Sequence, residues 1–230
     1  MPDSENLLIA TLPWRDRTAL LALCEAVPLM QGAVLAGPGQ PIRHVYFPDE
    51  GFISLVTAID GVPALEVGMI GREGMLGMQL SLGVGDVPLH ALVQGEGRAQ
   101  RIEAAPFQLE LARSEALRRQ MSRYVYVLLD QLAGGAACTR FHGIAPRLAR
   151  WLLMSHDRAG SRRLHLTHES LAAMLGVRRV GITRAAGDLQ RLGLVTYHRG
   201  QITVLDPDGL AQAACGCYAA DGRAYRRMFG

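Results

Sequence analysis

The feature that most constrains this chain is a run of about forty residues beginning at Leu164. Leu164-His165-Leu166 alternates apolar and polar, and Thr167 then stands where a helix cap belongs, with Glu169 in the first turn that follows. Leu171, Met174 and Leu175 share one helical face, and Gly176 supplies the residue that turns left-handed without strain at a helix end. A short turn through Val177 and Arg178 leads to a second helix whose apolar positions, Ile182, Ala185, Ala186 and Leu189, fall at i, i+3, i+4 and i+7. Gly193 stops it, and two short strands, Leu194–Tyr197 and Gln201–Leu205, flank the tight turn His198-Arg199-Gly200. Helix, glycine turn, helix and hairpin together predict a winged helix-turn-helix. The small residues Ala172, Ala185 and Ala186 let the two helices close on each other, and the opposite face of the second helix offers Arg178, Arg179, Arg184 and Arg191.

Charge sharpens this reading. The net charge of +3 hides an imbalance: residues 1–139 carry 10 Arg against 15 acids, whereas residues 140–200 carry 11 Arg against 3. All 24 basic residues are arginine. Guanidinium forks match phosphate oxygens and guanine edges, so an arginine-rich segment of about sixty residues points to a polyanionic partner.

Upstream the texture differs. Residues 7–27 read as a short helical segment broken by Pro13. Residues 32–97 contain 13 Gly and 5 Pro, between which lie runs rich in β-branched and aromatic residues: His44–Phe47, Gly51–Ile59, Leu65–Ile70, His90–Val93 and Arg98–Ile102. Asp60-Gly61 is a hairpin signal. Short strands with frequent turns predict an antiparallel roll or barrel. From Pro106 the pattern is helical. Ser114 can cap a long helix on which Leu117, Met121, Tyr124, Leu128 and Gln131 follow a 4,3,4,3 spacing, a stripe that predicts pairing with the same helix of a second copy. His142-Gly143 breaks this helix, and another follows from about Ala145 to His156. The expected organisation is α+β: an N-terminal antiparallel β-roll over residues 1–113, a long dimerisation helix over 114–141, and a winged helix-turn-helix with a C-terminal tail over 142–230.

These motifs, in this order, resemble the CRP/FNR family of bacterial transcription regulators. LTHESLAAMLGVRRVGITRAAGDLQRLGLV carries the closest likeness, and VYFPDEGFISLVTAIDGVPALEVGMIGREGMLG resembles the family's effector domain, a β-roll of the cyclic-nucleotide-binding type. The resemblance implies homodimeric binding to a roughly palindromic site in duplex DNA, and RNA polymerase as a further partner. By position it implies that Arg178, Arg179, Val180 and Arg184 face bases and that Thr167 and His168 meet phosphates; Thr183 is a further expected DNA-binding residue, and Arg199 at the wing tip is expected against the backbone or minor groove. Val180 stands where the family often has an acid, so a contact to cytosine is lost there.

The effector site departs further. Gly71, Glu73, Leu89, His90 and Tyr124 are the positions expected around an effector pocket. The segment that would hold a cyclic phosphate, Asp86–Ala91, contains no Arg, so cyclic AMP is not expected to bind in the usual way, and the effector is unidentified. A cyclic-nucleotide-responsive regulator or binding module is the alternative reading. No cofactor and no metal are expected. Only Cys24 lies near the N-terminus, which leaves an iron–sulfur cluster there without ligands. His44 and His90 are the only haem ligands on offer in the roll, and Cys215-Gly-Cys217 shows just two ligands for a soft metal. The sequence has no Gly-x-Ser-x-Gly elbow, no His-Glu-x-x-His and no lysine for a phosphate loop, so no enzyme activity is expected. No apolar run reaches the roughly 18 residues of a membrane span, and the acidic start, Met1–Glu5, lacks the features of a secretory signal. A cytoplasmic location is the expectation.

Overall fold

A computed structural model of the chain describes residues 6–57, 65–161, 163–198 and 200–229. Its described residues divide into two compact units, one built mainly from residues 6–55 and 69–129, the other from 56–57, 65–68 and 130–228. The division falls inside the long helix.

The first unit begins with two short helices, α1 (Leu7–Ala10) and α2 (Trp14–Leu21), followed by strands β1 (Glu25–Leu29), β2 (Val34–Ala36), β3 (His44–Thr57), β4 (Leu65–Ile70) and β5 (His90–Glu103). The five strands form one sheet in the order β1-β5-β3-β4, with β2 also on β5. Sequence texture suggested more and shorter strands. His44–Phe47 joins the run after Gly51 into the single 14-residue β3, and His90–Val93 joins Arg98–Ile102 into the single 14-residue β5. Glycines at Gly51, Gly95 and Gly97 looked like breaks, but they sit where the two long strands press together. A β-carbon on Gly51 would lie 2.4 Å from the Gly95 carbonyl oxygen, and one on Gly97 would lie 2.3 Å from that of Glu50. Of the segment 7–27 expected to be helical, α1 and α2 are helix, and only its last residues differ: they enter β1, whose Glu25–Leu29 pairs antiparallel with Gly97–Arg101. Asp60-Gly61 lies outside the described residues.

Leu29, Tyr46, Ile53, Ile70, Leu76, Ala91, Val93 and Ala99 make an apolar cluster on this sheet. A buried polar network ties the start of the chain to it. The Asn6 side-chain amide donates to the carbonyls of Pro48 (2.8 Å) and Gly74 (2.9 Å), while its oxygen accepts from the Leu8 and Ile9 amides and so caps α1. Asp49 accepts from the Asn6 amide and from Gln100, which satisfies a carboxylate that is 3% exposed.

Helix α3 (Ala104–Arg113) follows, and Phe107 meets Phe47 edge to face. The 27-residue α4 (Glu115–Phe141) starts as expected at Ser114, whose hydroxyl accepts from the Leu117 amide at 3.0 Å. The stripe expected to pair with a second copy is instead core. Leu117, Met121, Tyr124 and Leu128 are buried in the first unit, and the Tyr124 hydroxyl donates to the Met75 carbonyl at 3.3 Å. Gln131 is partly buried as well. The roll and the long helix need an apolar seam between them, and this stripe supplies it. A second apolar stripe on α4 faces outward: Tyr126, Leu129, Leu132, Ala133 and Ala136 are exposed.

The second unit holds α5 (Ile144–Ala159), β6 (Arg163–His165), α6 (His168–Leu175), α7 (Arg179–Arg191), β7 (Val195–His198), β8 (Gln201–Val204), α8 (Pro207–Ala213) and α9 (Cys217–Phe229). Strands β6, β8 and β7 form an antiparallel sheet in that order. Gly143 precedes α5, so the helix breaks at the place that His142-Gly143 predicted. Among the described residues, no helix is long and apolar enough to cross a membrane.

Gly51 has φ +77°, a conformation that costs an L-residue, and it also lacks room for a side chain. Gly51→Ala is expected to destabilise the roll by about 1–3 kcal/mol, read as an earlier urea midpoint.

Candidate nucleic-acid interface

Two helix ends set the geometry of α6. Thr167 has extended backbone angles and its hydroxyl accepts from the Ser170 amide at 3.0 Å, which caps the start. Gly176 at φ +63° closes the other end. Arg147 adds a clamp that composition could not reveal: its Nη2 donates to the Leu175 carbonyl at 2.6 Å, satisfying an acceptor that the helix leaves open. Leu171, Ala172, Met174 and Leu175 are buried beneath it.

Helix α7 buries Ile182, Ala185, Ala186 and Leu189, the four residues expected from their spacing. It also approaches α5 closely at Gly181, where an added β-carbon would come within 2.6 Å of the Ile144 side chain. With that face held, Arg179, Val180, Thr183 and Arg184 are all exposed on the other side. Val180 is 73% exposed, an apolar side chain presented to solvent at the start of the helix. Arg178 is the N-cap residue and makes no side-chain cap bond, so its guanidinium is not spent on the helix. Arg179 lies 3.8 Å from Glu169 with both side chains largely exposed, a contact weak enough to yield to a phosphate. Thr167 is exposed beside this face. Arg199 lies outside the described residues.

The His168 ring stacks on Tyr197 of β7, with centroids 4.2 Å apart, and its Nδ1 lies 3.1 Å from the Thr183 hydroxyl. Thr183 donates its proton to the Arg179 carbonyl, so the Nδ1–H is the donor to Thr183. Burial, then the nearby Arg179 charge, hold the imidazole below its ordinary 6.5 and favour the neutral ring. His168 therefore braces α7 against the wing strand.

The positions expected around an effector pocket do not gather round a cavity beside β2 and β3 of the roll. That cavity, about 410 Å³, is bounded by the segment Leu35–Tyr46 together with Leu76, Gly77 and Val87, and its polar walls are Gln40, Arg43 and His44. Glu73 accepts from the Gly71 amide at 3.3 Å, within its own turn, and Tyr124 is fully buried in the core. Leu89 is partly buried and His90 exposed. Arg43 lines this cavity, a place that sequence could not reveal, since a lone arginine before a strand carries no signal of its own.

Residues 146–213 match the family model of the Crp-like helix-turn-helix domain. The fold as a whole is shared with solved regulators at low identity. FixK2 from Bradyrhizobium japonicum is 14% identical, with a TM-score of 0.67 over 84% of this chain and 98% of that one. A CRP-family transcriptional regulator from Thermus thermophilus is 18% identical, with a TM-score of 0.67 over 82% and 97%. Residues 146–213 therefore carry a Crp-like helix-turn-helix domain, and the chain shares its fold with a solved regulator of the CRP family. The global nitrogen regulator of Synechococcus elongatus is similar too, 25% identical over 198 residues that make up 79% of this chain and 86% of that protein. The matched domain, residues 146–213, contains α6, α7 and the β7–β8 wing, and with them the exposed arginine face of α7.

The depressed His168 value has a measurable consequence. Above about 6.5 its contribution to stability is complete; as pH falls below that value the unfolded chain takes a proton that the folded ring resists, and stability drops. His168→Phe keeps a ring on Tyr197 without the titration, so its unfolding free energy is expected to fall less than that of the wild type between pH 8 and pH 5, as measured by urea denaturation.

Proposed function

We propose that the protein binds a two-fold symmetric DNA operator as a homodimer in the cytoplasm, with α7 of each copy seated in the major groove, and that it acts as a regulator rather than an enzyme. One observation carries this reading: Arg179, Val180, Thr183 and Arg184 stand exposed together on a helix whose opposite face is fixed in an apolar core. Such a helix presents side chains to base edges while its support holds register. Arginine gives bidentate contacts to guanine, and Val180 suits the methyl group of thymine better than any hydrogen-bonding edge.

The outward stripe of α4 supports pairing with a second copy. Tyr126, Leu129, Leu132, Ala133 and Ala136 repeat along about three turns with the spacing of a coiled-coil seam, and an apolar strip of that length in water favours a like partner. The effector would occupy the roll cavity. Its polar walls include one guanidinium, so an anionic ligand is the class to test, with cyclic AMP outside the expected set because the usual phosphate segment offers no arginine. The link between long helix and DNA-binding unit, Thr139–Ile144, is the hinge through which ligand binding would shift the balance of arrangements.

Selection of bound sequences from random duplex DNA supplies the operator. On it, Arg179→Ala and Arg184→Ala are each expected to weaken binding about 5- to 150-fold, while Arg15→Ala, an exposed arginine of the first unit, changes nothing. Equal affinity for wild type and both variants overturns the reading. Leu129 is 61% exposed, so Leu129→Glu is expected to keep the wild-type circular dichroism and to sediment as a monomer at concentrations where the wild type is dimeric.

A further inference from the structure

Two cysteines one residue apart made a weak metal signal, but the fold completes it. Cys138 lies near the end of α4 and His142 directly after it, four residues apart and hence on one side of the helix. Cys215 and Cys217 lie at the junction of α8 and α9. The Cys138 and Cys215 sulfurs are 3.5 Å apart, the Cys217 sulfur lies 3.6 Å from His142 Nδ1, and all four donor atoms fall within 4.8 Å of one another. We propose that Cys138, His142, Cys215 and Cys217 bind one Zn²⁺ in a closed tetrahedral Cys₃His site.

The distances distinguish this from other chemistry. Zn–S bonds of about 2.3 Å and Zn–N bonds of about 2.0–2.1 Å in a tetrahedron place sulfurs about 3.8 Å apart and sulfur and nitrogen about 3.6 Å apart. The Cys138–Cys215 separation of 3.5 Å and the Cys217–His142 separation of 3.6 Å lie close to these values. A disulfide needs sulfurs about 2.05 Å apart, and the cysteines are free. An iron–sulfur cluster places several metal atoms between its ligands and needs a wider ring of thiolates. Four protein donors leave no open position, which is the arrangement of a structural rather than a catalytic ion.

The surroundings suit a thiolate-rich centre. Binding Zn²⁺ releases the three thiol protons, and with a neutral imidazole the site carries a charge of −1. Arg150 is a cation beside it: it interacts electrostatically with Cys138 and Cys215, it is anchored by Asp221 at 2.6 Å, and its buried Nε–H has no hydrogen-bond partner among the described residues. A buried donor left over beside sulfur is what an outer shell around a metal thiolate uses. The ion would staple the end of the long helix to the start of α9 and span the break at His142-Gly143, making the proposed hinge metal-dependent.

The test uses the full-length protein purified in reducing buffer without chelator. Elemental analysis is expected to find one zinc per chain, retained by Cys24→Ser and lost by Cys215→Ser and by His142→Ala. Because those variants could also unfold, the wild-type protein is stripped and titrated with Co²⁺, which is expected to saturate at one equivalent with the intense visible bands of tetrahedral cobalt and a thiolate-to-cobalt charge-transfer band. Zinc no higher than in Cys215→Ser, a weak octahedral cobalt spectrum, stoichiometric iron with sulfide, or a Cys138–Cys215 disulfide in the reduced preparation each overturns the proposal. Loss of DNA binding plays no part in these readouts, so they stand apart from the operator reading.

Discussion

Everything exposed on α7 depends on what that helix buries. Ile182, Ala185, Ala186 and Leu189 are nearly water-free, and two of the four are alanines, so the helix sits close to its support and has little freedom to roll. Gly181 removes the one side chain that would hold α5 away. The result is a rigid rail. A groove-reading surface requires this, because side chains that must meet base edges within hydrogen-bonding distance tolerate little wobble in the backbone that carries them.

The winged unit was legible because its signals are local. A cap at Thr167, a left-handed glycine at Gly176 and an i, i+3, i+4, i+7 run from Ile182 each act within one or two turns, and each appears in the structure where its residues place it. The long helix was legible in extent but not in orientation. Its 27 residues carry two apolar stripes, and periodicity cannot say which one meets the roll and which one meets solvent; only long-range packing against Met75 and Gly74 decides that Tyr124 points inward. The strands were harder still. Glycines that normally punctuate chains here serve close approach between β3 and β5, so two apparent gaps are continuous strand.

Charge was a partial guide for the same reason. The arginine excess of residues 140–200 suggested one face for one partner, yet Arg147 is spent on the Leu175 carbonyl and Arg150 on Asp221, both inside the unit. Composition counts guanidinium groups but not where they go. The ligand set Cys138, His142, Cys215 and Cys217 shows the same limit from the other direction. Its halves are separated by more than seventy residues, and no spacing rule joins them before the chain has folded.

The stacking of His168 on Tyr197 also bears on how preference for a DNA sequence could drift. Through Thr183 this pair fixes the tilt of α7 relative to the wing, although neither ring belongs to the arginine surface. An exchange at Tyr197 would re-aim several side chains at once. Selection acting on the hairpin could therefore retune which operators are favoured while every residue on the groove-facing side of the helix stays the same.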